Sequence, residues 1–295
     1  MHPIPAAVSP ETIIEEMDKN NVEKAIILAM DLHEETLDNL KWRKYFNQQL
    51  QFMIYDQEQI IDAMRFILKN GYTSNQYVSE IRDKFPDRFI GFGSVQVGYQ
   101  KKSYISKKLK EIKDLDLKGI KLLPTLQFYN PSESKRLVEL FKFAEKYDLM
   151  VLLHTGCDPG PFEFPILSKY GNPELLTPIL KKFPEVDIIL AHLGSYSAKN
   201  PGIWFEETLK IFEEFTDNRL YGDISAVPYL LEKPYFVEKI KEVIGIKKIL
   251  YGSDYPVTGA SYFHILEPVL NTDQLNQEDK KMILYDNANN LLKNH

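Results

Sequence analysis

The feature that most constrains this chain is a recurring unit: a short apolar run that stops at a polar residue and a glycine, then a helical stretch, then the next run. The run 150–153 (Met-Val-Leu-Leu) enters His154-Thr155-Gly156, and 188–191 (Ile-Ile-Leu-Ala) enters His192-Leu193-Gly194. The run 249–251 enters Gly252-Ser253-Asp254, where Pro256 blocks further strand pairing. Runs that are apolar throughout are what strands become when helices cover them. Seven such runs begin near residues 22, 89, 119, 150, 187, 220 and 248. From the third onward they recur roughly every 30 residues, the length of one βα unit. The pattern predicts an α/β chain folded as a parallel (β/α)8 barrel. No Gly-x-Gly-x-x-Gly turn follows the first run, which counts against an open nucleotide-binding sheet.

Between the runs the spacing predicts helices over 104–115, 132–147, 173–183, 203–215, 235–244 and 278–292. A helix is also expected over 9–20, with Ser9 as its N-cap and Pro10 in its first turn. The first visible strand then spans 22–30. Because only eight residues precede the helix at 9–20, the first of the eight barrel strands is expected to be missing or reduced to a stub. Residues 31–86 form a long, mostly helical excursion carrying Trp42, Tyr45, Phe46, Phe52, Met53 and Tyr55, broken at Gly71 and resuming as a helix over 75–85. We read 1–295 as one domain, with 31–86 as a helical insertion that is a lid, a homodimer surface or plain structure.

Composition narrows the function classes. Hydrophobic content of 44% supports a substantial core. A net charge of −6 argues against a nucleic-acid partner. The single cysteine, Cys157, rules out an internal disulfide and a cysteine-based zinc cluster and fits a reducing cytoplasm. The expectation is a cytoplasmic protein with no secretory leader, no membrane span and a small-molecule substrate.

In a parallel barrel every strand's C-terminal tip opens on one face, where active sites are built. His154, His192 and Asp254 are expected to meet there, although 38 residues separate the two histidines. Imidazole nitrogens and a carboxylate suit zinc or a related divalent ion, with a position left for water. An ionised Asp254 could also accept a proton. One histidine at a strand end is more often a hydrogen-bonded structural residue, and Gly-Ser-Asp alone is a common turn; it is their shared placement that a purely structural role does not explain. Lys121, in the third run, either points inward to bind a substrate carboxylate, or when carboxylated to bridge two metals, or snorkels outward along a helix. His33 reads as a helix start, His264 and His295 as surface residues, Asp223 as catalytic or as a strand-end cap. Cys157 has no basic neighbour in sequence to make it a nucleophile.

Taken together, His154-Thr155-Gly156, Ala191-His192-Leu193-Gly194 and Gly252-Ser253-Asp254-Tyr255-Pro256 resemble the amidohydrolase-related (amidohydrolase 2) family, which includes aminocarboxymuconate-semialdehyde decarboxylase. Pro86-Asp87-Arg88-Phe89, Gly119-Ile120-Lys121-Leu122 and Asp286-Asn287-Ala288 extend the resemblance over nearly the whole chain. It implies a metal-bearing barrel in which His154 and Asp254 are ligands, Asp254 also handles protons, and His192 is catalytic. The family opens with Asp-x-His-x-His on its first strand. Here only Met1-His2-Pro3 corresponds, so His2 would supply the one remaining histidine, and Leu123 stands where many relatives show histidine. The implied cofactor is a divalent ion, zinc or alternatively manganese. The implied activity is hydrolysis of a small carbonyl or carboxylated substrate, with non-oxidative decarboxylation of an unsaturated or aromatic acid as the alternative. The incomplete first-strand motif leaves a third reading, a metal-free barrel that binds a ligand without catalysis.

Overall fold

Seven strands form one parallel sheet in strict chain order: β1 Ala25–Leu28, β2 Phe89–Ser94, β3 Gly119–Leu122, β4 Met150–Gly156, β5 Ile188–Tyr196, β6 Leu220–Asp223 and β7 Ile249–Leu250. The computed structural model describes residues 1–51, 57–99, 101, 103–158, 160–259, 261–293 and 295. Phe52, Met53 and Tyr55 of the aromatic stretch lie outside the described residues. The sheet curls as a (β/α)8 barrel whose first strand is truncated. Met1 fills part of that slot: its amine donates to Ile26 O and its carbonyl accepts from Leu28 N–H, each at 3.0 Å, which is the parallel ladder pattern. On the other side His2 N–H donates to Tyr255 O at 2.8 Å, so the stub bridges β1 to the chain just past β7.

Alternation along each strand decides what faces the barrel axis. In β4, Val151 and Leu153 pack into the large core shared with the helices, while Met150 and Leu152 pack inside with Leu28, Phe92, Ile189 and Leu250. Ile120 and Leu122 of β3 face the helices, so Lys121 between them faces inward, which settles the alternative left by the sequence. Each fully buried aliphatic side chain contributes roughly 1.5–3 kcal/mol of transfer free energy.

The helices follow the apolar stripes. Helix α1 (Pro10–Lys19) starts where Ser9 Oγ accepts from Thr12 N–H, and it buries Ile13 and Met17. The excursion contains α2 (Leu40–Leu50), α3 (Gln57–Gly71) and α4 (Asn75–Lys84). Trp42, Phe46, Leu50, Ile61, Met64 and Leu68 make a second core with Leu123, Phe128, Phe162 and Tyr170 from the loops beyond β3 and β4. The excursion is thus fastened to the loop side of the barrel. After β2 come α5 (Tyr104–Asp114) and, after β3, α6 (Lys135–Tyr147).

Several boundaries differ from expectation. The first visible strand shortens to 25–28, with only an isolated bridge from Met30 to Thr73 beyond it. The stretch 173–183 is a 3-10 turn, Pro173–Leu176, running into a short helix, Thr177–Leu180. The closing helix is interrupted by a π segment at Met282–Asp286. The helix Tyr262–Asn271 was not anticipated; Pro268 obscures its signal, although Ser261 caps it. His295 corrects the expectation of a surface residue: its side chain is 4% exposed and held by Asp187 Oδ2 at 3.0 Å and Asp148 O at 2.9 Å. His264 is exposed, as expected. Among the described residues no helix is long and apolar enough to cross a membrane.

Candidate active site

His154 follows Leu152 in phase and therefore points into the barrel. His192 would not do so by alternation, since Ile188 and Leu190 before it face the helices. The backbone corrects this. His192 and Leu193 both adopt left-handed conformations, φ 63° and 46°, where β4 and β5 slip register. The slip turns His192 inward and returns Leu193 to the outer core. Two consecutive non-glycine residues in that region store strain, which persists only where the surroundings over-determine it. Here Asp223 Oδ1 accepts the His192 N–H at 2.9 Å, and Thr155 Oγ1 accepts the Gly194 N–H at 2.8 Å while donating to Ala191 O. Asp254, also left-handed at φ 53°, comes off the end of β7.

The structure brings His2, Lys121, His154, His192, Asp223 and Asp254 to one end of the barrel, all buried between 1% and 9% exposed. His192 Nδ1 lies 2.7 Å from Ser225 O, a carbonyl that can only accept, so Nδ1 donates. In the neutral ring Nε2 then accepts, and at 3.1 Å it takes the Nδ1–H of His154. That leaves His154 Nε2 as a bare lone pair. It has no hydrogen-bond partner and faces Asp158 Oδ2 at 3.6 Å. Burial and the neighbouring His192 push the His154 ring well below its ordinary value, so it stays neutral. Tyr196 stacks on His192 at 4.7 Å between ring centroids and meets His154 edge-on.

On the opposite wall His2 Nε2 donates to Asp254 Oδ1 at 3.0 Å, and its Nδ1 is buried without a partner. Burial lowers His2 to about 4, so this ring too is neutral. Burial alone would raise Asp254; the bond from His2 and the charges nearby outweigh it and hold the carboxyl well below the usual range. Lys121 is lowered by burial and raised by the carboxylates of Asp254, Asp223 and Asp158 that surround it.

Sequence reasoning missed three contributors. Asp158, four residues past His154, accepts from Thr125 Oγ1 and is raised by burial to about 7. Its position after the His-Thr-Gly tip was a usable signal. Ser225 and Tyr196 carried none, because they matter only through contacts with His192. Cys157 is buried and pushed up to about 11, in keeping with an inert thiol. Asp223 Oδ1 accepts from the His192 and Ser225 N–H groups and from the Ser225 hydroxyl, and so positions both residues. His33 lies elsewhere, beside Asp31 and Tyr104.

The donor set suits a divalent cation in kind: an ionised carboxylate and two neutral imidazoles with unpartnered nitrogens, one of which, His154 Nε2, faces Asp158 across a gap that a cation would reconcile. The donors stand as two pairs, His2 with Asp254 and His154 with His192. Among the described residues no three His, Cys, Asp or Glu side chains are gathered as a cage.

A family model described as "Amidohydrolase" matches residues 56–293. Among solved structures, an uncharacterized TIM-barrel protein from Bordetella bronchiseptica aligns with TM-score 0.69 and 20% identity over 96% of this chain and 82% of its own. A probable 2-pyrone-4,6-dicarboxylic acid hydrolase from Acinetobacter baumannii aligns with TM-score 0.62 and 14% identity over 96% and 88%. A 5-carboxyvanillate decarboxylase from Novosphingobium aromaticivorans, complexed with manganese, aligns with TM-score 0.62 and 17% identity over 96% and 80%. Comparison with curated proteins gives no match.

Proposed function

This chain belongs to the amidohydrolase family, a family of metal-dependent enzymes, and from that premise we propose that it hydrolyses a small carbonyl or carboxylated substrate. The observation that carries the reading is the unpartnered His154 Nε2, kept neutral and aimed at Asp158 at the end of a bonded series that runs back through His192 to the Ser225 carbonyl. His154, Asp254 and His2 would hold a divalent ion, zinc or alternatively manganese. When bound, such an ion supplies Lewis acidity to the site. The remaining roles belong to the chain itself. Lys121 offers a buried ammonium to a substrate carboxylate. His192 orients the substrate or water from the floor of the site. Asp254, ionised and bonded to His2, receives a proton. Asp158, raised to about 7, can hold or give one at neutral pH.

Asp158 also favours a second reading. Non-oxidative decarboxylation needs a protonated group that delivers a proton to carbon, and a buried carboxyl near neutrality suits that task. The similarity to a 5-carboxyvanillate decarboxylase supports it equally. We take the insertion at 31–86 as a lid in either case, because its aromatic core rests on the loops beyond β3 and β4 and the site side chains are buried. The expected setting is cytoplasmic, with a homodimer through the insertion as an alternative use of it.

The test is metal analysis of the purified protein with and without zinc or manganese, followed by a screen of lactones, amides and aromatic carboxylates. Hydrolysis of a lactone or amide that chelation abolishes supports the first reading, and CO2 release from an aromatic acid the second. A protein that retains no divalent ion after reconstitution, and turns over nothing, is the non-catalytic barrel.

A further inference from the structure

A second titratable cluster sits apart from the site above, where the chain leaves β1 and β2. Asp31 is buried, and its Oδ2 accepts the Gln96 N–H at 2.7 Å and the Tyr104 hydroxyl at 2.5 Å. The proton of Tyr104 is therefore committed to Asp31, so the Tyr104 oxygen accepts from His33 Nε2 at 2.7 Å. Asp31 Oδ1, buried without a hydrogen bond, lies 3.4 Å from that same nitrogen. His33 is clamped flat against Tyr99, with ring centroids 4.2 Å apart and planes 10° from parallel. With Nε2 fixed as a donor, Nδ1 is the ring atom left for a proton or a cation. It points to Glu35 Oε2 at 3.5 Å, in a place where the His33 side chain is 22% exposed and Glu35 62%.

We propose that His33 Nδ1 and Glu35 form a second, solvent-accessible site for a borderline divalent ion such as zinc, with Tyr104 and Asp31 as positioning residues. A lone pair and a carboxylate oxygen facing each other at 3.5 Å repel unless a cation or proton lies between them. A metal-bound histidine characteristically donates its other ring N–H into a carboxylate-backed hydrogen bond, which fixes the tautomer and raises basicity. Here that support is built and buried before any ion arrives. Lys108 bonds Glu111 at 3.1 Å and also lies within electrostatic reach of Asp31, behind the ring. The remaining coordination positions are open to water, as expected of a site on the surface.

The experiment is equilibrium dialysis of the full chain against zinc, counting bound ions per folded molecule, with the His33 imidazole resonances followed by NMR. Wild type binds one ion more than His33→Ala. Glu35→Gln, an exposed change that leaves the fold intact, weakens that ion, and Tyr104→Phe weakens it roughly tenfold, the low end for loss of an orienting partner. Asp254→Asn leaves this ion in place, which separates the proposal from the reading of the main site. His33→Ala and Glu35→Gln chains that bind zinc as wild type does, or wild-type His33 resonances indifferent to zinc, overturn it. So does loss of the ion in His264→Ala, the exposed histidine on the other side of the sequence.

Discussion

The two ends of this barrel treat polar groups in opposite ways. Eight buried side-chain polar atoms lack a hydrogen-bond partner among the described residues, among them His2 Nδ1, Asp31 Oδ1, Gln96 Oε1, His154 Nε2 and Tyr251 Oη. All belong to residues at or beyond the C-terminal end of a strand, or at the head of a helix on that side. At the N-terminal end charges are paired. Arg88 bonds Asp18 Oδ1, Glu23 O and Val22 O, Arg219 reaches Glu185 and Asp187, and Asp187 also holds His295. An unpaired buried polar atom costs about 1–3 kcal/mol, so the mouth carries a stability cost that the base does not. Such a cost concentrated on one face marks it as the working face, and the opposite face as the stabilising one.

The contrast is broken most sharply at Asp254. Asp254→Asn keeps the bulk and an acceptor for His2 but removes the buried charge. Turnover should fall by roughly 10²–10⁴. The unfolding midpoint should fall as well at neutral pH, because the site holds this carboxyl below its usual range and Lys121 loses a counter-charge. A variant that loses activity with its midpoint unchanged would show that the charge serves the chemistry alone.

Trp42→Ala probes the insertion proposed as a lid over that mouth. Trp42 packs against Phe46, Phe128 and Tyr170. Truncating it should cost about 3–5 kcal/mol and open the 31–86 stretch to limited proteolysis before the barrel unfolds. Cleavage elsewhere first would mean that the excursion is integral to the barrel and not a separately yielding lid.

Lys121→Met sharpens the comparison at smaller scale. Losing a charge-assisted contact of about 1.5–3 kcal/mol should raise KM for a carboxylated substrate roughly tenfold to a hundredfold, with thermal stability unchanged or improved. An unchanged KM across carboxylated and neutral substrates would remove Lys121 from the binding role.

Much of this was legible in the sequence, for a physical reason: strands covered on both sides must be apolar throughout, and the residues that end them are conspicuous. His154, His192 and Asp254 could be placed at one rim because chain order in a parallel barrel fixes which tips are neighbours. How they face could not be. His192 points inward only through the left-handed pair at 192 and 193, and no alternation rule foresees that. Ser225 acts on His192 from 33 residues away, and Tyr196 through a ring contact that spacing does not reveal, while Asp158, four residues past His154, had a usable signal in its position. The helix at Tyr262–Asn271 hid behind Pro268, which is tolerated in its last turns. His295 looked like a surface residue because its partner, Asp187, is 108 residues away.

His295 offers the gentlest test of the paired end. Its bond to Asp187, chiefly, raises the imidazole above its ordinary value. A group whose folded value exceeds its unfolded one contributes stability at low pH and loses that contribution as pH rises through the folded value. His295→Ala should therefore lower the unfolding midpoint slightly at about pH 5.5, below the unfolded histidine value, and by less as the pH rises through the raised folded value. Asp187→Asn should reproduce the loss at the acid pH and add little to His295→Ala in the double variant, since one bond is being removed twice. Additive losses would mean that the two side chains stabilise the base separately, through Arg219 on one side and the Asp148 carbonyl on the other. The paired end would then be a set of independent contacts and not a network.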